Sequence, residues 1–224
     1  MLNQLSAFLI SSASAFGLVG TSLILLACLA CAILYTGKAQ ERYSILNHFI
    51  SELGEAGVSD RAKVFNYGLI AGGALLVPFV IGFGMVLSSV WAVLATIAGV
   101  WAAVSCILVG VFPMNNLEPH VKVATSYFRS GLVMVLLFGI AILVQPPGQA
   151  KISPLASITS LLAALSYGSF LFLGRLPENT PAAPEGPNPE LIPDRPQFLG
   201  LAALEWLVFL STILWFIAAV IFLY

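Results

Sequence analysis

Charged side chains are scarce in this sequence: they make up 8% of the 224 residues, against about 25% in a typical soluble domain. Hydrophobic residues make up 59% of the chain, and the mean hydropathy is +1.00. So few charges cannot cover a water-facing surface, so most of the chain must face lipid. The net charge of -1 also gives no basis for binding nucleic acid. We therefore predict an all-α integral membrane protein.

Cysteine and histidine are also rare, with three cysteines and two histidines in the chain. Cys28 and Cys31 have the C-x-x-C spacing of redox and metal sites, but their neighbours are apolar. We predict that they are small packing residues. A zinc site would need both histidines, His48 and His120, and one carboxylate from Glu52, Glu118 or Glu205. The two histidines are also candidate ligands of a haem.

Six apolar runs are long enough to cross a bilayer, because a spanning helix needs about 20 mostly apolar residues. Gly68 and Gly72 form G-x-x-x-G in the second run, a spacing that favours close helix packing within a bundle or at a dimer face. We predict a six-transmembrane-helix bundle in a single domain. Its spans are expected at about 15–36, 65–87, 90–112, 121–144, 153–174 and 197–223.

Basic residues are concentrated in the connections on one side of this predicted bundle. The other side has only Lys151. Cytoplasmic loops collect Lys and Arg, so we predict a multi-pass protein of the cytoplasmic (inner) membrane, with its polar loops in the cytoplasm and both termini outside. The basic residues of the predicted cytoplasmic side are Lys38, Arg42, Arg61, Lys63, Lys122, Arg175 and Arg195. Within that side, residues 175–196 hold seven of the 13 prolines, and this density predicts a flexible loop.

The segment YSILNHFISELGEAG, residues 43–57, is polar and lies between apolar runs. On a helical wheel at about 100° per residue, its polar residues occupy one arc and its apolar residues the opposite side. The segment is too short to span a bilayer, so we predict a short interfacial amphipathic helix at 43–56 between the first two spans. The residues of the polar arc are Ser44, Asn47, His48, Ser51, Glu52 and Glu55.

Two charged residues fall inside predicted spans, Arg129 in the fourth and Glu205 in the sixth. A lone charge at such depth costs at least about 2.5–3.5 kcal/mol. We therefore predict that the two form an ion pair across the bundle, with Tyr127 as a further partner. The alternative is that Arg129 extends to the interface while Glu205 is protonated or lines a wet cavity.

These residues define a candidate pocket that opens to the cytoplasmic leaflet. Its predicted floor is Arg129 and Glu205, and its predicted rim is His48, Ser51, Glu52, Asn66 and His120. Ser51 and His48 have the spacing of a nucleophile and its base on one helix face. The candidate catalytic residues are His48, Ser51, Glu52 and His120, and the candidate substrate-binding residues are Asn47, Asn66, Tyr127, Arg129 and Glu205.

Three short motifs carry a resemblance to a known family. They are N-x-x-I-S-x-L-G at 47–54, F-N-x-G at 65–68 and G-x-F-P at 110–113, the last followed by His120. With these motifs the chain resembles domain of unknown function 998, a family of six-helix bacterial and archaeal membrane proteins. That family often has G-x-x-x-x-E-R in its last span; Gly200 and Glu205 match, whereas Trp206 replaces the basic residue. The I-S-x-L-G element is also similar, more faintly, to the DRAM and GPI-anchor-remodelling group, which implies lipid handling.

The leading hypothesis for function is a membrane-embedded protein that binds or modifies lipid, with the lipid bilayer and a lipid headgroup as its partners. Polar groups that face a leaflet from inside a bundle can contact a headgroup while the lipid chains stay in hydrocarbon. One alternative is a small transporter or proton-coupled carrier. Another is a non-catalytic scaffold or sensor. The sequence leaves open whether the protein is an enzyme, and the oligomeric state.

Overall fold

The computed structural model describes residues 2–37, 40–175 and 195–223, and over these residues the chain is helical, without strands. Six helices are long and apolar enough to cross a membrane. The predicted all-α fold with six transmembrane helices is confirmed, and the chain is a multi-pass membrane protein. The helices are α1 (Leu2–Ile33), α2 (Ala62–Leu87), α3 (Val90–Val111), α4 (Leu117–Leu143), α5 (Ala156–Leu173) and α6 (Gly200–Ile221).

Local sequence explains where several helices begin and end. Ser88 ends α2 in a left-handed conformation with φ 49°, and the Ser89 hydroxyl accepts a hydrogen bond from the Ala92 N–H at 3.2 Å to cap α3. The link between these helices is therefore only two residues long. Helix α3 ends just before Pro113, because a proline disfavours helical backbone at the residue that precedes it, here Phe112. At the start of the chain, α1 begins at Leu2, well before the expected start at 15.

Each helix packs against its neighbours in sequence, and α1 also contacts α6, so the six helices close a ring. Helices α1 and α2 come into close contact at Gly20 and Gly72. A Cβ atom at Gly20 would lie 2.9 Å from the Gly72 carbonyl oxygen, and one at Gly72 would lie 2.7 Å from the Gly20 oxygen. The G-x-x-x-G spacing of α2 therefore serves packing within the chain, because Gly68 also faces Ala27 of α1.

An aromatic cluster lies at the end of the bundle away from the 43–57 segment. It joins α2, α4 and α6 and consists of Phe79, Phe83, Phe138, Trp215 and Phe216. The first four are no more than 1% exposed. Elsewhere in the core, Cys28 and Cys31 are buried free thiols, in agreement with the packing role expected for them.

The interfacial amphipathic helix expected at 43–56 is not confirmed. The segment forms a turn at 45–47 and a 3-10 helix, Ile50–Gly54. Its polarity is also reversed: Ile45 and Leu46 are each 48% exposed, whereas His48 and Glu52 are buried. The physical reason is that distant side chains, described below, bind the backbone groups that a continuous helix would pair internally.

The Pro-rich loop expected at 175–196 lies outside the described residues except at its two ends. Where the chain is described again, the Leu199 N–H donates to the Leu46 carbonyl at 2.8 Å. This bond attaches the segment before α6 to the segment before the 3-10 helix.

Candidate functional site

A cavity lies at the centre of the ring of helices, and all six helices and the 3-10 helix contribute to its wall. Its cavity volume is about 100 Å³. Lining residues Phe65 and Val80 are fifteen positions apart on α2, a distance of about 22 Å along the helix. The cavity is therefore long enough to follow most of one bilayer leaflet.

One end of the cavity is polar. Three lining residues form this polar end: Ser51 of the 3-10 helix, His120 in the first turns of α4, and Glu205 of α6. The Ile50 N–H donates to Glu205 Oε2 at 2.6 Å, and His120 Nδ1 bonds to the Phe112 carbonyl at 2.8 Å. These bonds fix Glu205 and His120 in place at the wall.

A second polar layer lies further along the cavity. Tyr127 and Thr212 are each seven residues beyond His120 and Glu205 on α4 and α6, or about 10 Å deeper. The Thr212 hydroxyl donates to Tyr167 at 3.0 Å, and the Tyr167 hydroxyl donates to Tyr127 at 3.3 Å. These hydroxyls largely satisfy one another. Beyond them the wall is apolar, with Val80, Met134 and Phe216, and the aromatic cluster closes this far end.

His48 lies beside the cavity rather than in its wall. It is 2% exposed, with the Tyr35 and Tyr43 rings 5.5 and 4.9 Å from its ring centre. Asn47 Nδ2 donates to the Pro196 carbonyl at 2.8 Å, so its Oδ1 faces His48 Nδ1 at 2.7 Å. Nε2 has no hydrogen-bond partner among the described residues.

His48 predicts a pH dependence of stability. Burial and the Arg195 guanidinium lower the pKa of His48 below its usual value of about 6.5, against the opposing effect of Glu52. Below about pH 6.5, His48 takes up a proton in the unfolded chain, whereas in the folded chain it stays neutral until the pH reaches its lower pKa. The free energy of unfolding therefore falls as the pH falls from about 6.5 toward that lower pKa. Thermal unfolding at pH 7.5 and 5.5 should show a smaller acid loss for His48→Asn than for wild type. Equal acid losses would contradict this prediction, and His120, present in both proteins, cancels in the comparison.

Glu52 does not face the cavity as a free carboxylate. It is buried and accepts two hydrogen bonds from Arg195, at 3.0 Å to Oε1 and 2.8 Å to Oε2. It also accepts the Phe49 N–H at 2.8 Å, and Arg195 bonds to the Asn47 carbonyl at 2.8 Å. The sequence placed Arg195 in a flexible loop and gave no signal for this ion pair. Glu52 and Asn47 thus attach the chain before α6 to the polar end.

The predicted Arg129–Glu205 ion pair is wrong. Arg129 is exposed on the outer surface of α4, and Glu205 instead binds the Ile50 N–H. The reason is the direction of the side chain: Arg129 follows His120 by nine residues, which is about 180° around the helix. His120 lines the cavity, so Arg129 points away from it.

The described residues do not fit a zinc site, because they contain no group of three His, Cys, Asp or Glu side chains that could hold a metal ion. His48 and His120 make separate contacts, to Asn47 and to the Phe112 carbonyl. The Ser51 hydroxyl donates to Met114 Sδ at 3.2 Å rather than to His48. These contacts therefore bring His48 and His120 together neither as ligands of one metal ion nor, for His48, as the base of a Ser51 nucleophile.

The residues of the three motifs contact one another at the polar end. Asn66 Nδ2 donates to the Gly54 carbonyl at 3.0 Å, and a Cβ at Gly110 would lie 2.5 Å from the Asn66 carbonyl oxygen. The Phe112 carbonyl in turn accepts His120. The motif residues therefore hold in place the backbone segments that position Ser51, His120 and Glu205.

Two aromatic residues that the sequence did not identify complete this support. Trp206 Nε1 donates to the Tyr43 hydroxyl at 3.0 Å, and Tyr43 donates to the Phe49 carbonyl at 2.9 Å. Trp206, which stands where the resemblance expects a basic residue, thus holds the backbone beside His48. Its place next to Glu205 in the sequence is the signal that could have identified it.

The family model described as protein of unknown function (DUF998) matches residues 18–221. This match covers nearly the whole chain, and the chain belongs to that family, as its motifs indicate. The fainter likeness to the DRAM and GPI-anchor-remodelling group has no support. No curated protein and no solved structure matches the chain.

Proposed function

We propose that this family member binds an amphiphilic lipid inside its ring of helices. The main observation in support is that the two ends of the cavity differ in polarity. Ser51, His120 and Glu205 form one end, and the far wall is apolar. A head group at the polar end would find hydrogen-bonding partners, while its chain would extend toward Phe216. Ligand pockets are typically apolar with a few placed polar groups, as here.

The proposed setting is the cytoplasmic (inner) membrane, with the polar end toward the cytoplasmic leaflet. The connections at this end carry most of the Lys and Arg residues, and such residues are concentrated on the cytoplasmic side. Both termini then lie outside. In this orientation a lipid of the cytoplasmic leaflet would meet the polar end at the depth of its own head group.

The contacts favour binding over conversion or transport. Catalysis is not supported by Ser51, which is bonded to Met114, or by Glu52, which is bonded to Arg195. Transport would need an exit at the opposite end, where four of the five residues of the aromatic cluster are no more than 1% exposed. A scaffold role gives no reason for a lined cavity of this length.

Filling the cavity tests the proposal. Ala124 lies one turn below His120 on α4 and lines the cavity, so Ala124→Phe should occupy the space of the proposed ligand. We expect the amount of lipid retained through purification to fall about tenfold, the change that a loss of about 1.4 kcal/mol in affinity gives. The measurement is lipid mass spectrometry per mole of purified protein.

The matched control is Ala98→Phe. Ala98 is partly buried on α3 and packs on the core without lining the cavity, so this change adds the same side chain elsewhere. It should leave lipid retention near the wild-type level. If Ala124→Phe retains as much lipid as Ala98→Phe and wild type, the cavity is not the lipid site.

A further inference from the structure

We propose that the ligand is a long-chain amphiphile whose head group donates hydrogen bonds and carries no negative charge, that is, a hydroxyl or an amine. This inference rests on the proposed function and names the class of its ligand. It follows from which hydrogen-bonding atoms remain available at the polar end after the contacts within the protein are made.

His120 leaves an acceptor. The Phe112 carbonyl can only accept, so the 2.8 Å contact places the proton on His120 Nδ1. In the neutral imidazole the other ring nitrogen, Nε2, then has a lone pair and no proton. Since the ring lines the cavity, Nε2 is the atom that it can offer to a ligand, and this atom accepts.

Glu205 and Ser51 leave acceptors as well. In its ionised form Glu205 takes the Ile50 N–H on Oε2, which leaves Oε1 to accept from a ligand. The Ser51 proton is directed to Met114 Sδ, which leaves the lone pairs of its oxygen. All three residues of the polar end therefore offer acceptors, and a complementary head group must supply donors.

No cation balances these acceptors, because neither Lys nor Arg is among the described residues that line the cavity. Arg195, the nearby cation, has both terminal guanidinium nitrogens bonded to Glu52, and Arg129 is on the outer surface of α4. A phosphate or carboxylate head would be buried beside Glu205 without a partner, which is strongly unfavourable. An amine would instead gain an ion pair, and a hydroxyl would gain a neutral hydrogen bond.

A head-group series on one chain length tests this inference with the full-length wild-type protein. Four probes are added to delipidated protein in a non-ionic detergent: hexadecanol, hexadecylamine, palmitate and methyl palmitate. Thermal stabilisation is followed against the mole fraction of each probe in the micelle. We expect hexadecanol and hexadecylamine to reach half-maximal stabilisation at about tenfold lower mole fraction than the other two, or about 1.4 kcal/mol.

Two variants separate the outcomes. Ala124→Phe should lose stabilisation by all four probes, which shows that the effect arises in the cavity. Glu205→Gln keeps an acceptor for the Ile50 N–H but removes the charge. It should therefore weaken the binding of hexadecylamine about tenfold and the binding of hexadecanol by less than about threefold. A larger loss for the amine than for the alcohol identifies the charged contact.

Palmitate or methyl palmitate binding as tightly as hexadecanol and hexadecylamine would overturn the head-group class and leave the proposed lipid site standing. If no probe stabilises the wild type more than it stabilises Ala124→Phe, the proposed function itself fails, and this inference fails with it.

Discussion

Replacing Trp215 with alanine is expected to lower the free energy of unfolding by about 3–5 kcal/mol, the range for removing a large buried aromatic side chain. Trp215 is 1% exposed, and its ring centre is 5.9 Å from that of Phe83 and 5.6 Å from that of Phe138. Its Nε1 donates to the Ser160 hydroxyl at 2.8 Å. The change therefore leaves a cavity and an unpaired hydroxyl where α2, α4, α5 and α6 meet.

The measurement is equilibrium unfolding in detergent micelles, with Trp91→Ala as the matched control. Trp91 is the second residue of α3 and is 39% exposed, so its removal leaves no closed cavity and should cost about 1 kcal/mol or less. Losses of equal size in the two variants would contradict the account of the aromatic cluster as the centre of the core. Because this cluster also closes the far end of the cavity, Trp215→Ala is expected to reduce lipid retention too.

The helices could be predicted from the sequence because the signal for a transmembrane helix is local. Each span is a continuous apolar run, and the spans end at residues such as Ser89 and Pro113, whose effects on backbone geometry act over one turn. In this chain lipid, rather than a distant part of the protein, is the environment of most side chains. Length and composition therefore carry most of the information that the helices need.

The 43–57 segment could not be predicted in the same way because its backbone partners are distant. Ile50 donates to Glu205, and Gly54 accepts from Asn66. A helical wheel assumes that a segment pairs its own backbone and turns its polar side to water. Here His48 and Glu52 are buried because Tyr35, Tyr43 and Arg195 surround them, and none of these contacts has a periodic signal.

The candidate site was predicted in part, and the depth of residues in the membrane explains the difference. Depth follows from position along a helix, so the sequence placed Ser51 and His120 at the rim of the pocket and Glu205 and Tyr127 below them, and all four line the cavity. Depth alone does not give the direction of a side chain around its helix, and this direction is what separates Arg129 from Glu205. The angle of about 180° between Arg129 and His120 was available from the sequence and would have excluded the ion pair with Glu205.

Adding one methyl group at Gly110 is expected to destabilise the protein, although the same change at Gly168 is expected to stabilise it. In an exposed or open helix position, glycine to alanine gains about 1 kcal/mol. A Cβ at Gly168 of α5 would meet nothing within 4 Å, so Gly168→Ala should show this gain. At Gly110 the new methyl would lie 2.5 Å from the Asn66 carbonyl oxygen, so α2 and α3 must separate, at a net cost of about 1–3 kcal/mol.

The separation at Gly110 should also disturb the polar end, because Asn66 holds the Gly54 carbonyl at the end of the 3-10 helix. A shift of α2 at Asn66 moves this helix, and with it the Ile50 N–H that Glu205 accepts. Gly110→Ala should therefore lower both the free energy of unfolding and the amount of lipid retained, whereas Gly168→Ala should lower neither. A Gly110→Ala protein that is as stable as Gly168→Ala would show that close contact between α2 and α3 is not what this motif glycine provides. A Gly110→Ala protein that loses stability but retains its lipid would separate helix packing from the geometry of the polar end, and would place the support of Glu205 on the contacts of Tyr43 and Trp206 instead.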